Sequence, residues 1–423
     1  MELIQSYGLI LIIMAAVVGF VMAWGIGAND VANAMGTSVG SKALTIKQAI
    51  LIAMVFEFAG AYLAGGEVTS TIRKGIIDAG YFTDIPEYLV LGMIASLLAA
   101  GIWLAVASWL GWPVSTTHSI IGAIIGFTAA AVSVDAVAWG KVGGIVGSWI
   151  VTPAISGIIA YLIYMSAHKL IFNTATPFAN ARRYVPFYMA LAGFVMSLVT
   201  IKKGLKHVGL EISSTNGYLL AIGIAILVAI IGMMFIRKLT FSHSDDPDLQ
   251  TANVEKVFAV LMVVTACCMA FAHGSNDVAN AIGPLAAVVS VVSSGGQINA
   301  SSTLAPWILP LGGIGIVAGL ALFGHRVIKT IGQGITHLTP SRGFAAELAA
   351  ACTVVIASGT GLPISTTQTL VGAVLGVGLA RGVSALNFSI VRTIAISWVV
   401  TLPAGAILSV IFFFILKAAF GVA

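Results

Sequence analysis

Apolar residues in this chain come as unbroken runs, not at the alternating or three-to-four spacings of a half-buried surface. Runs over 9–24, 89–109, 142–164, 219–236 and 393–416 each approach the length a helix needs to cross hydrocarbon. Counting such runs predicts roughly ten full spans. Shorter apolar pieces at 119–134 and 369–380 read as broken or re-entrant helices, bringing the total to about twelve. The first run is read as a retained helix, since only Glu2 carries charge before it and no basic segment of a cleavable signal precedes it.

Polar residues break into these runs at two nearly identical places. One is Gly27-Ala28-Asn29-Asp30-Val31-Ala32-Asn33-Ala34-Met35-Gly36, the other Gly274-Ser275-Asn276-Asp277-Val278-Ala279-Asn280-Ala281-Ile282-Gly283. They lie 247 positions apart (276 − 29). A second pair follows: Gly111-Trp112-Pro113-Val114-Ser115-Thr116-Thr117-His118 and Gly361-Leu362-Pro363-Ile364-Ser365-Thr366-Thr367-Gln368, offset by 250 (363 − 113). Ala59-Gly60, Leu63, Gly65, Thr71-Ile72 and Gly75-Ile76 return as Ala318-Gly319, Leu322, Gly324, Thr330-Ile331 and Gly334-Ile335, and Trp149 and Thr152 as Trp398 and Thr401. Near-constant offsets over such a length mark an internal duplication. In a membrane protein this favours two pseudo-symmetric bundles with a site between them near the midplane. The expected organisation is a first transmembrane repeat over 1–172, linking segments and a central polar loop over 173–255, and a second repeat over 256–423.

Composition decides the class. Of 423 residues 59% are hydrophobic and 8% charged, against about 25% charged in soluble domains, so there is too little charge to cover a soluble surface. The formal charge of +5 comes from scattered basic groups: Arg73-Lys74, Arg182-Arg183, and Lys202, Lys203 and Lys206. It gives no nucleic-acid surface, and their loops do not fix the orientation in the membrane. The stretch 237–248, with mixed charge and Pro247, reads as an aqueous loop, and 173–186 as another that opens a short linker helix. Cys267, Cys268 and Cys352 lack metal-ligand spacing and read as packing residues. Trp24, Trp109, Trp139, Trp149, Trp307 and Trp398 read as interface anchors or lipid-facing bulk.

The candidate chemistry lies in the four polar segments. Pro113 and Pro363 each stop a preceding helix, and the Ser-Thr-Thr that follows supplies N-cap candidates for a new one. A helix that begins within the membrane leaves amides that an anion satisfies well. Ser115, Thr116, Thr117, Ser365, Thr366 and Thr367 add hydroxyl donors, which suits the many acceptor lone pairs of a tetrahedral oxyanion. Capping a kinked helix would be the plain alternative for one copy alone. Asp30 and Asp277, with Glu57 and Glu347 in apolar helices, would repel that anion unless cations enter with it, so sodium or protons are the natural companions. Asn29, Asn33, Asn276 and Asn280 offer neutral oxygens or donors, and the small residues around them permit close backbone approach or a helix interruption. His118, opposite Gln368 in the repeat, is as good a hydrogen bonder as a proton carrier. No base, nucleophile and metal stand together as an enzyme would require.

The four motifs together resemble the inorganic phosphate transporter family, which includes the animal sodium–phosphate symporters. The resemblance spans 29–401. It implies an all-α polytopic protein of the cell membrane, with about twelve transmembrane segments in two inverted repeats. Such a protein would move phosphate with sodium or protons and would form a homodimer. By that resemblance Ser115, Thr116, Thr117, Ser365, Thr366 and Thr367, with Asn29 and Asn276, bind phosphate. Asp30, Asn33, Asp277, Asn280, Glu57 and Glu347 handle the cation, sodium lying on Asp30 and Asp277. No resident cofactor is implied. Gln368 stands where the family more usually has histidine, and the central loop is short. A sulfate symporter of the same family and an anion channel are the remaining alternatives.

Overall fold

The computed structural model describes residues 2–110, 112, 114–204, 212–241, 247–298, 304–331 and 337–422. Gly111 and Pro113 of the first Ser-Thr-Thr motif, Lys206, residues 242–246 of the polar loop, and Gly334 and Ile335 lie outside the described residues. The described elements are helical. In chain order they are α1 (Glu2–Gly40), α2 (Ile46–Ala64), α3 (Gly66–Lys74), α4 (Pro86–Trp109), α5 (Thr116–Ala131), α6 (Trp139–Ala167) and α7 (Pro177–Val199). Then come α8 (Ser214–Arg237), α9 (Pro247–Ser293), α10 (Ile308–Ile331), α11 (Pro340–Gly359), α12 (Thr366–Arg381) and α13 (Phe388–Ala419). Ten of the described helices are long and apolar enough to cross a membrane, so the chain is an all-α, multi-pass membrane protein.

α1 and α9, of 39 and 47 residues, outrun the hydrocarbon thickness of about 30 Å at about 1.5 Å per residue. Both continue unbroken through the polar motifs. The small residues there serve close approach, not interruption. A methyl group on Gly27 would strike the Ile316 backbone, and one on Gly319 the Trp24 backbone, so α1 and α10 cross in near contact. Gly60 against Phe271, and Gly274 against Glu57, do the same for α2 and α9.

α4 and α5 form a hairpin that returns to the side from which it came. Its outer ends meet through the Ile77–Val137 bridge, with the Asp78 amide donating to Ala136 O and the Ala138 amide to Ile76 O. α11 and α12 form a second hairpin, whose base is held by Arg381 Nη1 donating to His337 O at 3.4 Å. The short apolar pieces at 119–134 and 369–380 thus fall in α5 and α12, the returning legs.

Two expectations are corrected. Residues 173–176 form the expected turn, but the helix that follows is a long one: Pro177 occupies the first turn of the 23-residue α7 and Pro186 lies inside it. Proline's preset φ and missing donor suit the first turn, so Pro177 opens the helix. Arg182 and Arg183 lie over the Phe178 and Tyr184 rings, 5.8 and 5.6 Å from the centroids. Trp149 is neither an anchor nor lipid-facing: it is buried and tilted against His118, ring centroids 3.7 Å apart. Trp109, Trp139 and Trp307 are exposed.

Candidate functional site

The inner ends of the two hairpins are built alike. Ser115, at φ −90° and ψ 118°, caps α5 by accepting from the His118 amide, and Ser365, at φ −87° and ψ 109°, caps α12 by accepting from the Gln368 amide. Both bonds measure 3.2 Å. Each serine keeps its hydroxyl proton to donate. The tips touch: Thr117 Oγ1 donates to Ile364 O at 2.9 Å.

The asparagines of α1 and α9 tie these tips together in a reciprocal pattern. The first asparagine of each motif holds a serine at the end of its own half's hairpin leg: Asn29 Nδ2 donates to Ser108 Oγ at 2.9 Å, and the Asn276 amide pairs with Ser358 Oγ at 3.1 Å. The second reaches across. Asn33 Nδ2 donates to Thr367 Oγ1 at 2.7 Å, while Asn280 Nδ2 lies 3.1 Å from both Thr116 Oγ1 and Thr117 Oγ1. Asn276 is oriented most favourably with its Nδ2 towards Asp277 Oδ1 and Ile364 O, its Oδ1 then accepting from Ser358. All twelve side chains of Asn29, Asp30, Asn33, Asn276, Asp277, Asn280 and the two Ser-Thr-Thr triplets are buried.

The acids enter the same space. Thr366 Oγ1 donates to Asp277 Oδ2 at 2.9 Å, and Thr116 Oγ1 approaches that oxygen at 3.5 Å. Asp30 accepts from Asn33 at 3.1 Å. Asp30, His273 and Asp277 each present one ligand atom, all within 4.8 Å of one another. His273 lies between two carboxylates, with Nδ1 3.3 Å from Glu57 Oε2 and Nε2 3.1 Å from Asp277 Oδ2. Asn29 Oδ1, Asp30 Oδ2, Asn280 Oδ1 and Glu57 Oε1 are buried with no hydrogen-bond donor. Leaving a buried acceptor unpaired costs about 1–3 kcal/mol, and such hard oxygens suit an alkali cation or a proton. The residues present therefore fit a transported cation.

Glu347 stands apart from this cluster. It accepts from Thr37 and Ser38 of α1, and from Thr265 of α9 at 2.7 Å. Thr37 is one turn beyond Asn33. The two glutamates are also not repeat partners. The 259 offset that matches α2 to α10 brings Glu57 to Ile316 (57 + 259), and the 250 offset of the hairpins brings Glu347 back to Leu97 (347 − 250). His118 places its Nδ1 3.5 Å from Trp398 O.

Sequence reasoning missed His273, Ser108 and Ser358. His273 had a signal, its position four residues before Asp277 on one helix face. It had no repeat to draw attention to it, because the 247 offset brings it to Ile26.

Residues 26–409 match the phosphate transporter family. A protein of Haemophilus influenzae named as a phosphate permease is 56% identical over 99% of this chain and 100% of its own. The chloroplastic inorganic phosphate transporter 2-1 of Arabidopsis thaliana is 44% identical over 93% of this chain and 70% of its own. Among solved structures, the sodium-dependent phosphate transporter superposes with a TM-score of 0.89 at 40% identity, covering 96% of this chain and 99% of the other.

Proposed function

Since the chain belongs to the phosphate transporter family, we propose that it is a secondary active symporter that carries inorganic phosphate across the cell membrane with sodium or protons. The observation that carries this reading is the meeting of two capped helix starts over a buried pair of aspartates. Hydroxyls of Thr116, Thr117, Thr366 and Thr367, with Ser115 and Ser365 and the first-turn amides, supply donors to the oxygens of phosphate. Asn29 and Asn276 hold the two tips at their registers. Asp30, Asp277, Asn33, Asn280 and Glu57 take the cation, and His273 carries a proton or a compensating charge between Glu57 and Asp277. Glu347 sets the α1–α9 contact one turn away and acts on the cation through it.

Coupling then follows from charge. Phosphate beside ionised Asp30 and Asp277 is repelled in a low-dielectric site, and a cation there cancels that repulsion. Each ligand raises the affinity for the other by the same factor. The chain is a transporter rather than an enzyme, and the cations are cargo.

The reciprocal asparagine bonds also support two inverted repeats. In this arrangement α1, α2, α4, α5 and α6 over 1–172 correspond to α9, α10, α11, α12 and α13 over 256–423, and α7 and α8 lie in the linking segment 173–255. Eight crossing helices and four hairpin legs make the twelve segments. A homodimer belongs to the same proposal and is read from the mass of the solubilised protein.

The test is phosphate uptake into proteoliposomes under an imposed sodium gradient, an imposed pH gradient, and neither. Accumulation driven by one gradient is the expected result. Uptake indifferent to both would overturn coupled transport, and sulfate competing equally with phosphate would reassign the anion.

A further inference from the structure

A cleft of about 1000 Å³ opens along α8 and α9, with α7 and part of α2 as its remaining walls. It is unrelated to the phosphate site in chemistry. Leu220, Ile224, Ile231, Val260 and Val264 give its walls their character. The two hydroxyls that line it make no demand on an occupant, because Ser197 donates to Gly193 O at 2.6 Å and Thr200 to Met196 O at 2.8 Å. Along α8 the lining runs from Leu220 to Lys238, 18 residues (238 − 220) or about 27 Å at helical rise. Nearly the whole hydrocarbon thickness of about 30 Å is therefore spanned.

One end is different. Lys238 and Lys256 both line it and both are exposed. Among the described residues neither has a carboxylate partner. Lys256 Nζ donates to Thr240 O at 3.4 Å. The neighbouring acid is otherwise engaged: Glu255 accepts from the Ser341 amide at 2.8 Å and from its hydroxyl at 2.7 Å. Arg182 and Arg237 lie at the same end, since the Phe178 ring beside Arg182 packs at 4.5 Å on Phe241, just beyond α8.

A long apolar trough that ends in two ammonium groups with no carboxylate partner among the described residues is complementary to one class of molecule. We infer that this cleft binds an anionic phospholipid, its headgroup phosphate between Lys238 and Lys256 and its acyl chains along α8 and α9. The charge pair selects the headgroup, as juxtamembrane lysines do for acidic lipids, and the trough holds the chains. Phe56 and Phe271 close the far wall, next to Glu57 and two residues from His273, so the lipid would buttress the helices that carry the cation site.

The test uses the full-length protein, delipidated in detergent and free of inorganic phosphate, with phosphatidylglycerol or phosphatidylcholine added back. Retained lipid is counted by native mass spectrometry and stability by thermal melting. Phosphatidylglycerol should be retained at least about tenfold better, a difference near 1.4 kcal/mol, and should raise the melting temperature more. Lys238→Gln with Lys256→Gln should bring the two lipids level without changing the lipid-free melt. Val264→Trp, filling the trough, should weaken both. Equal retention in the native protein would overturn the inference, as would a preference that survives the double lysine change. Inorganic phosphate displacing the lipid would reassign the lysines to free phosphate. Loss of a dimer in Val264→Trp with no lipid retained by the native protein would make the cleft an interface between copies.

Discussion

Asp277 differs from Asp30 in what it touches, although the two are repeat partners. Asp277 receives the Thr366 hydroxyl at 2.9 Å and stands 3.1 Å from His273, whereas Asp30 receives the Asn33 amide at 3.1 Å. A hydrogen bond to a charged group contributes about 1.5–3 kcal/mol, so Asp277→Asn should lower cation-dependent uptake by about ten- to a hundredfold and leave the protein in the membrane. Loss of insertion instead would mark the aspartate as structural. Thr366→Val should cost more uptake than Thr116→Val, whose hydroxyl lies 3.5 Å from the same oxygen; equal losses would remove the distinction. Glu57 and His273 form the other unit. Replaced singly by glutamine, each leaves a buried partner without its counter-charge, so the two effects should not add. A double variant no worse than the poorer single in sodium-dependent uptake is the expected outcome, and strictly multiplicative losses would separate the residues. The aspartates and threonines were legible because duplication made polarity in apolar runs conspicuous twice. His273 was not, because its counterpart is Ile26 and a single histidine in an apolar helix carries no pattern.

At the scale of elements, glycine does the positioning. Gly60 lies on the Phe271 backbone and Gly274 on the Glu57 backbone, with no room for a methyl group between the helices. That contact sets how far Glu57 of α2 stands from His273 of α9. Gly274→Ala should therefore push the helices apart at a cost of about 1–3 kcal/mol and weaken uptake together with thermal stability. A variant that melts like the parent and transports normally would show that the crossing tolerates separation. The repeated glycines were visible as letters, but two readings were open, a break in the helix or close approach. Only the facing backbone decides between them, and it comes from a segment about two hundred residues away. The hairpins show the opposite balance. Proline followed by Ser-Thr-Thr is a local signal for a helix start, and Ser115 and Ser365 act as the caps it indicates. The segment at 173–186 has prolines too, yet one sits in a first helical turn and the other inside the helix; proline alone does not say which.

For the whole molecule the sharpest consequence concerns sidedness. The base of the first hairpin lies around Asp135, held to the segment before α4 by the Ile77–Val137 bridge. The base of the second lies around Ser384, beyond the Arg381–His337 contact. Between the two bases the chain passes through α6, α7, α8, α9 and α10, each long and apolar enough to span. We propose that all five cross; five being odd, the two bases would then face opposite sides, and the two tips would enter the membrane from opposite directions to meet at Thr117 and Ile364. This follows from the crossings alone, whichever side the first base occupies. Both Asp135 and Ser384 are exposed, so single cysteines there, in a background with Cys267, Cys268 and Cys352 replaced, should react with a membrane-impermeant maleimide from opposite faces of sealed vesicles. Labelling from the same face would leave one of the five helices short of a crossing. The inverted relation between the halves would then fail, and with it the alternating access of one central site to two compartments.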